Sequence, residues 1–142
     1  MNSNNMENEY NSHDFRSIIK NELISSEKII IKRSNIHRWG VFAKNDIKKD
    51  EIIEEFPYFL VPENEMDLTT SIIEYSYRFR GDYVVGMGCC GLYNHGFDPN
   101  LDYCIDKANE IMIHYAIRDI SAGEELTLNY GKENVQNFID EN

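Results

Sequence analysis

Seven short runs rich in β-branched and aromatic residues, KIIIKR, GVFA, EIIEEFPYFLV, YVVGM, YCI, EIMIHYAI and ELTLNY, occupy most of the chain between residues 28 and 130. Such residues suit a pleated, half-buried surface, and few of the runs are long enough for helical periodicity to develop. The turn signals KKDE, RGD, DKANE and SAGEE separate them. This pattern predicts a mostly β domain built from several small sheets of short strands.

Two segments depart from it. FRSIIKNELI carries apolar residues at helical spacings and predicts a short N-terminal helix over residues 16–27, preceded by a polar, Asn-rich tail over 1–15. DLTTSIIEYSYRF places Leu68, Ile72, Tyr75 and Phe79 at helical spacing, so a helical insert near 64–80 is expected between strands. The main domain then runs over 28–142 and ends in a short C-terminal segment. At 142 residues, one domain with a real core is the natural reading.

The formal net charge of -11 argues against nucleic acid as a direct partner and favours a basic protein. No apolar run approaches the roughly 20 residues that cross a bilayer, so no membrane partner is expected. The opening MNSNNMENEYNSHDF has neither a basic start nor an apolar stretch, which predicts an intracellular protein. Cys89, Cys90 and Cys104 are odd in number and read as reduced thiols. A metal site assembled from Cys89, Cys90, His95 and Cys104 has the wrong spacing, and His37 and His114 read as exposed or packed strand residues.

The stretch GLYNHGFDPN, residues 91–100, packs five turn-forming residues around an Asn-His pair directly after the apolar run YVVGMGCC. About 30 residues later stands GEELTLNYG, an acidic turn followed by a strand and Tyr-Gly. Preceded by RWGVFA and EEFPYFLV, this order resembles the SET domain, the fold of protein lysine methyltransferases. NHGFDPN is similar to the family's Asn-His-Ser-x-x-Pro-Asn, and GEELTLNYG to Gly-Glu-Glu-Leu-Thr-x-x-Tyr-Gly. The resemblance runs from about Ile29 to Gly131 and is greatest to small stand-alone proteins of the kind found in large DNA viruses.

The resemblance implies a β-clip fold with a knot-like threaded C-terminal segment. It also implies methyl transfer from S-adenosylmethionine to a lysine amine of a histone tail, with S-adenosylhomocysteine as product and no metal. Cofactor contacts fall on Arg38, Trp39, Gly40, Asn94, His95 and Tyr130, with Asn94 acting through its amide and His95 mainly through its backbone. Tyr130 becomes the catalytic tyrosine and Tyr103 a second catalytic candidate. Phe56, Tyr103 and Leu128 are expected along the lysine channel, and the acidic insert residues Glu63, Glu65, Asp67 and Glu74 are candidate contacts for a basic substrate. Chromatin as target implies the nucleus, a host nucleus if the source is a virus or intracellular parasite.

This sequence departs from the family pattern at four positions. Arg38 replaces the first glycine of Gly-x-Gly, Gly96 replaces the motif serine, Phe56 stands where many members carry a channel tyrosine, and Leu128 stands where a Phe or Tyr tunes the number of methyl groups. There is no cysteine-rich extension after Gly131, so Phe138 in VQNFID or a second subunit of a homodimer is expected to close the channel. The departures also admit a different class of function, a catalytically degenerate SET-fold interaction module.

Overall fold

A computed structural model describes residues 20–25, 27–69 and 71–130 together with the backbone of 138–139. The strands are Ile29–Arg33 (β1), Trp39–Ala43 (β2), Ile52–Val61 (β3), Tyr77–Phe79 (β4), Asp82–Gly86 (β5), Asn94–His95 (β6), Leu101–Asp106 (β7), Ile111–Ala116 (β8), Thr127–Leu128 (β9) and Phe138–Ile139 (β10); β4, β6 and β10 fall outside the seven expected runs, β4 within the expected helical insert. They form a six-stranded sheet ordered β10-β7-β8-β3-β5-β4 and two two-stranded sheets, β1-β2 and β6-β9. Tight turns at 49–50, 80–81, 107–110 and 122–123 fall where the punctuating residues stand.

The centre of the large sheet is β8, whose six residues IMIHYA are all buried. A strand covered on both faces needs apolar side chains at every position rather than alternation, which EIMIHYAI supplies. On one side lies a core that includes Val41, Ile53, Tyr93, Leu101, Met112 and Leu126. On the other, Ile52, Cys104, Ile111 and Ile113 form a smaller cluster over which Ile24 packs. Cys90 and Cys104 are buried free thiols, and Cys89 is partly exposed.

The described part of the expected N-terminal helix, residues 20–25, is not helical. Glu55 of β3 is buried, and its carboxylate accepts the Ile24 N–H at 3.0 Å and pairs with Lys20 at 3.1 Å. Ser25 bridges to Glu54. A buried carboxylate must be partnered, and holding Lys20 and the Ile24 N–H against it extends the chain along the sheet. Residues 1–19 of the tail and helix lie outside the described residues.

The insert is shorter and tighter than expected. Two 3₁₀ turns, Glu63–Glu65 and Ser71–Tyr75, bury no residue between them, and Phe79 belongs to β4. Without a face to bury, the apolar spacing across 68–79 cannot sustain an α-helix. Among the described residues no helix is long and apolar enough to cross a membrane.

Candidate functional site

The two motifs meet through a two-residue parallel ladder in which Asn94 pairs with Thr127 and His95 with Leu128. The Gly96 N–H donates to the Leu128 carbonyl at 2.9 Å, extending the contact. A Cβ on Gly96 would lie 2.5 Å from Oγ1 and 2.7 Å from Cβ of Thr127, closer than real side chains come. With the backbone where it lies here, a side chain at position 96 would need Thr127 or the chain to shift, although the family pattern carries serine and threonine at these two positions.

The His95 ring makes a contact of its own. Its Nδ1 accepts the backbone N–H of Tyr130 at 3.0 Å, so the neutral imidazole carries its proton on Nε2. The His95 ring also stacks near Tyr130 and Phe97, with centroids 5.4 and 4.9 Å away. Beyond this link the Tyr130 hydroxyl donates to the backbone carbonyl of Tyr93. Burial, then Glu125 and Tyr75, push the Tyr130 hydroxyl above its ordinary range, so it remains a neutral donor.

The Asn94 amide reaches back to the first motif. Its Nδ2 lies 3.1 Å from the His37 carbonyl, 3.3 Å from that of Trp39 and 2.8 Å from Oε2 of Glu125. Glu125 also accepts from the Ser34 hydroxyl at 2.6 Å, and its carboxylate fills the space beside Gly40. Arg38, Trp39, Gly40, Asn94 and His95 are thus gathered at one place, with Trp39 47% exposed. Arg38 adopts φ 44°, the left-handed conformation that a glycine takes most readily, which accounts for a glycine in the family pattern there.

A cavity of about 380 Å³ opens next to this cluster. Its walls include Tyr130, Leu128 and Tyr103 together with Tyr75, Tyr77 and Tyr93. Glu74 and Arg78 supply charge at its edge. Leu128 and Tyr103 are almost fully buried, and the Tyr103 ring meets Tyr77 edge-on at 4.7 Å. Phe56 is not part of the lining. Its ring packs against Gly88, where an added Cβ would come within 2.5 Å of it.

The sequence did not single out Glu54, Tyr77 or Tyr93 as site residues. Glu54 is 1% exposed and accepts the Tyr93 hydroxyl at 2.8 Å. Burial raises its carboxyl above the ordinary value, against the lowering effect of the Tyr93 and Cys89 hydrogen bonds. The available signal was an acidic pair inside the apolar run EIIEEF, since a strand covered on both sides must bury both carboxylates. Tyr77 carries its hydroxyl to the Cys90 carbonyl and to His114. Of the four acidic insert residues, Glu74 alone lines the cavity. The set Cys89, Cys90, His95 and Cys104 is not assembled, because His95 faces Tyr130 and Cys104 packs in the separate Ile52 cluster.

A SET domain model matches residues 38–131. A histone-lysine N-methyltransferase specific for H3 lysine-37 from Schizosaccharomyces pombe is 30% identical over 96 residues, covering 65% of this chain and 65% of its own length. An H3 lysine-4 specific enzyme from Saccharomyces cerevisiae is 32% identical over 124 residues, 78% of this chain and 12% of the yeast protein. Among solved structures, a candidate histone methyltransferase of Plasmodium falciparum aligns with a TM-score of 0.64 and 29% identity over 78% of this chain and 98% of that one. The family match covers both motifs and the strands that carry them, and the chain belongs to the SET domain family.

Proposed function

We propose that this chain is an S-adenosylmethionine-dependent protein lysine N-methyltransferase whose substrate is a histone tail and whose place of action is the nucleus. The observation that carries the reading is the position of Tyr130, held by His95 at the mouth of a tyrosine-lined cavity beside the Trp39, Asn94 and Glu125 cluster. The names of the relatives support histone as substrate, and the net charge of -11 suits a basic tail.

The residues that would hold the cofactor are tied together. The carbonyls of His37 and Trp39 and the Glu125 carboxylate converge on the Asn94 amide nitrogen, which fixes the 37–40 segment against the Asn94-His95 motif. Half-exposed Trp39 offers a flat aromatic face nearby. Bound there, the cofactor supplies an electrophilic methyl group on a sulfonium.

The chain's own residues do the rest. Lysine's ordinary pKa of about 10.4 leaves little neutral amine at pH 7, a deficit of roughly 4 to 5 kcal/mol. A cavity walled by Tyr75, Tyr77, Tyr93 and Tyr103 favours the neutral form by desolvation. Tyr130, kept neutral, donates its proton to the Tyr93 carbonyl and leaves its oxygen to accept an amine N–H, which aims the amine lone pair away from it. Leu128 leaves that end of the cavity without a hydroxyl, and the threaded crossing of the C-terminal segment belongs to the same reading.

The test is mass spectrometry of a histone mixture incubated with S-adenosylmethionine and either the native protein or Tyr130→Phe. New lysine methylation that disappears with the variant is expected. Absence of methylation by protein that binds the cofactor normally would refute the reading in favour of a degenerate module.

A further inference from the structure

Glu54, Cys90 and His114 bring three buried ligand-type atoms within 4.8 Å of one another beneath the cavity. Glu54 and His114 are direct cross-strand partners on β3 and β8. Cys90 enters from the turn after β5, and its Sγ lies 4.0 Å from both Glu54 Oε1 and His114 Nδ1. Bonds of about 2.0–2.3 Å to a tetrahedral ion place ligand atoms roughly 3.3–3.7 Å apart. Closing the set needs about half an ångström of contraction at Cys90 and up to about 1.5 Å across the widest pair.

The surrounding hydrogen bonds aim these groups inward. Tyr77 gives its hydroxyl proton to the Cys90 carbonyl, so its oxygen is left to accept Nε2–H of His114 at 3.0 Å. That assigns the bare lone pair of His114 to Nδ1, on the Cys90 side. On the carboxylate, Tyr93 holds Oε1 at 2.8 Å and the Cys89 N–H approaches Oε2 at 3.4 Å. Outer partners of this kind fix the ring orientation and tautomer of metal-bound histidines.

Charge points the same way. Among the described residues no Lys or Arg pairs with Glu54, although it is 1% exposed. A buried carboxylate without a cation is costly. A divalent ion that displaces the thiol proton of Cys90 leaves one thiolate, one carboxylate and one neutral imidazole around a double positive charge, which sums to zero.

We propose that Glu54, Cys90 and His114 form a site for one divalent transition-metal ion of the zinc class. The ion ties β3, β8 and the 87–92 turn together under the cavity floor. Of the three ligands, Cys90 also lines the cavity. Binding displaces the thiol proton of Cys90.

The experiment uses the full chain purified under reducing, anaerobic conditions, given zinc and dialysed. Elemental analysis should find about one zinc per chain, and a strong zinc chelator should lower the melting temperature. Cobalt(II) in place of zinc should give a thiolate-to-cobalt charge-transfer band in the near ultraviolet. Cys90→Ser should abolish that band and weaken zinc binding at least tenfold, whereas Cys104→Ser should leave both unchanged. Native protein that retains far less than one zinc and melts identically with and without chelator overturns the proposal, as does a cobalt band that survives in Cys90→Ser. The first of these outcomes depends on no variant and decides even if Cys90→Ser fails to fold.

Discussion

The backbone N–H of Tyr130 donates to Nδ1 of His95 across 3.0 Å, joining positions 35 residues apart. The imidazole thereby sets where the tyrosine hydroxyl sits, and removing that hydroxyl should separate binding from chemistry. Tyr130→Phe is expected to lower methyl-transfer rate by about 10²–10³-fold. Calorimetric affinity for the cofactor should stay within about threefold of native.

Asn94→Ala deletes the group that faces the His37 and Trp39 carbonyls and Glu125. The 37–40 segment then loses its tie to β6, and the partly buried Glu125 carboxylate loses a donor. A loss of about 1–3 kcal/mol is expected, read as roughly 10–100-fold weaker cofactor binding by calorimetry with a lowered melting temperature.

Gly96 and Thr127 occupy complementary space. Gly96→Ser, which restores the family's motif residue, should destabilise the fold by about 1–3 kcal/mol through overpacking. Combined with Thr127→Gly, its cost should fall, giving a coupling of at least about 1 kcal/mol in a double-mutant cycle by urea unfolding. Additive costs would show that the two sites do not share this space.

Arg38 pays a backbone penalty at φ 44° that glycine would not. Arg38→Gly should raise stability by about 0.5 kcal/mol, the relief of left-handed strain less the extra freedom of the unfolded chain. Thermal melts of the two proteins in the same buffer check the sign.

His114 predicts acid sensitivity. Burial depresses its folded pKa to about 3 from an ordinary 6.5, so the unfolded chain takes up a proton that the folded chain refuses. The contribution is fully present above pH 6.5 and is lost as pH falls towards 3, worth a few kcal/mol across the window. Glu54 works in the opposite sense, since its raised pKa favours folding at low pH. With chelator present, the urea midpoint of native protein should drop between pH 6.5 and 4, and His114→Gln should flatten that slope.

The strands were readable because β-branched runs and Gly, Asp and Asn turns alternate along 28–130, as in IMIHYA and the following residues. The halves of the site were readable because Asn94-His95 and Tyr130 sit in motifs with fixed spacing. What sequence could not show was which buried polar groups choose one another. Glu55 takes Lys20 and the Ile24 N–H, which extends a segment whose local spacing reads as helical. Glu54 takes Tyr93, and Tyr77 takes His114, pairings set by the register of β3 on β8 and by the insert's path rather than by neighbours in sequence. Phe56 is directed to Gly88 by the same register. Residues 131–137 and the side chain of Phe138 lie outside the described residues; the backbone of Phe138–Ile139 runs parallel to Ile105–Asp106 at the sheet edge.

The β6-β9 ladder has a consequence for how the protein matures. The β7-β8 hairpin spans about half of the chain between Asn94-His95 and Thr127-Leu128, so forming it first shortens the loop the ladder must close. Two ladder positions cannot offset the entropy of closing a loop of that length on their own. The cluster around Tyr130 is therefore expected to assemble only in the nearly complete fold.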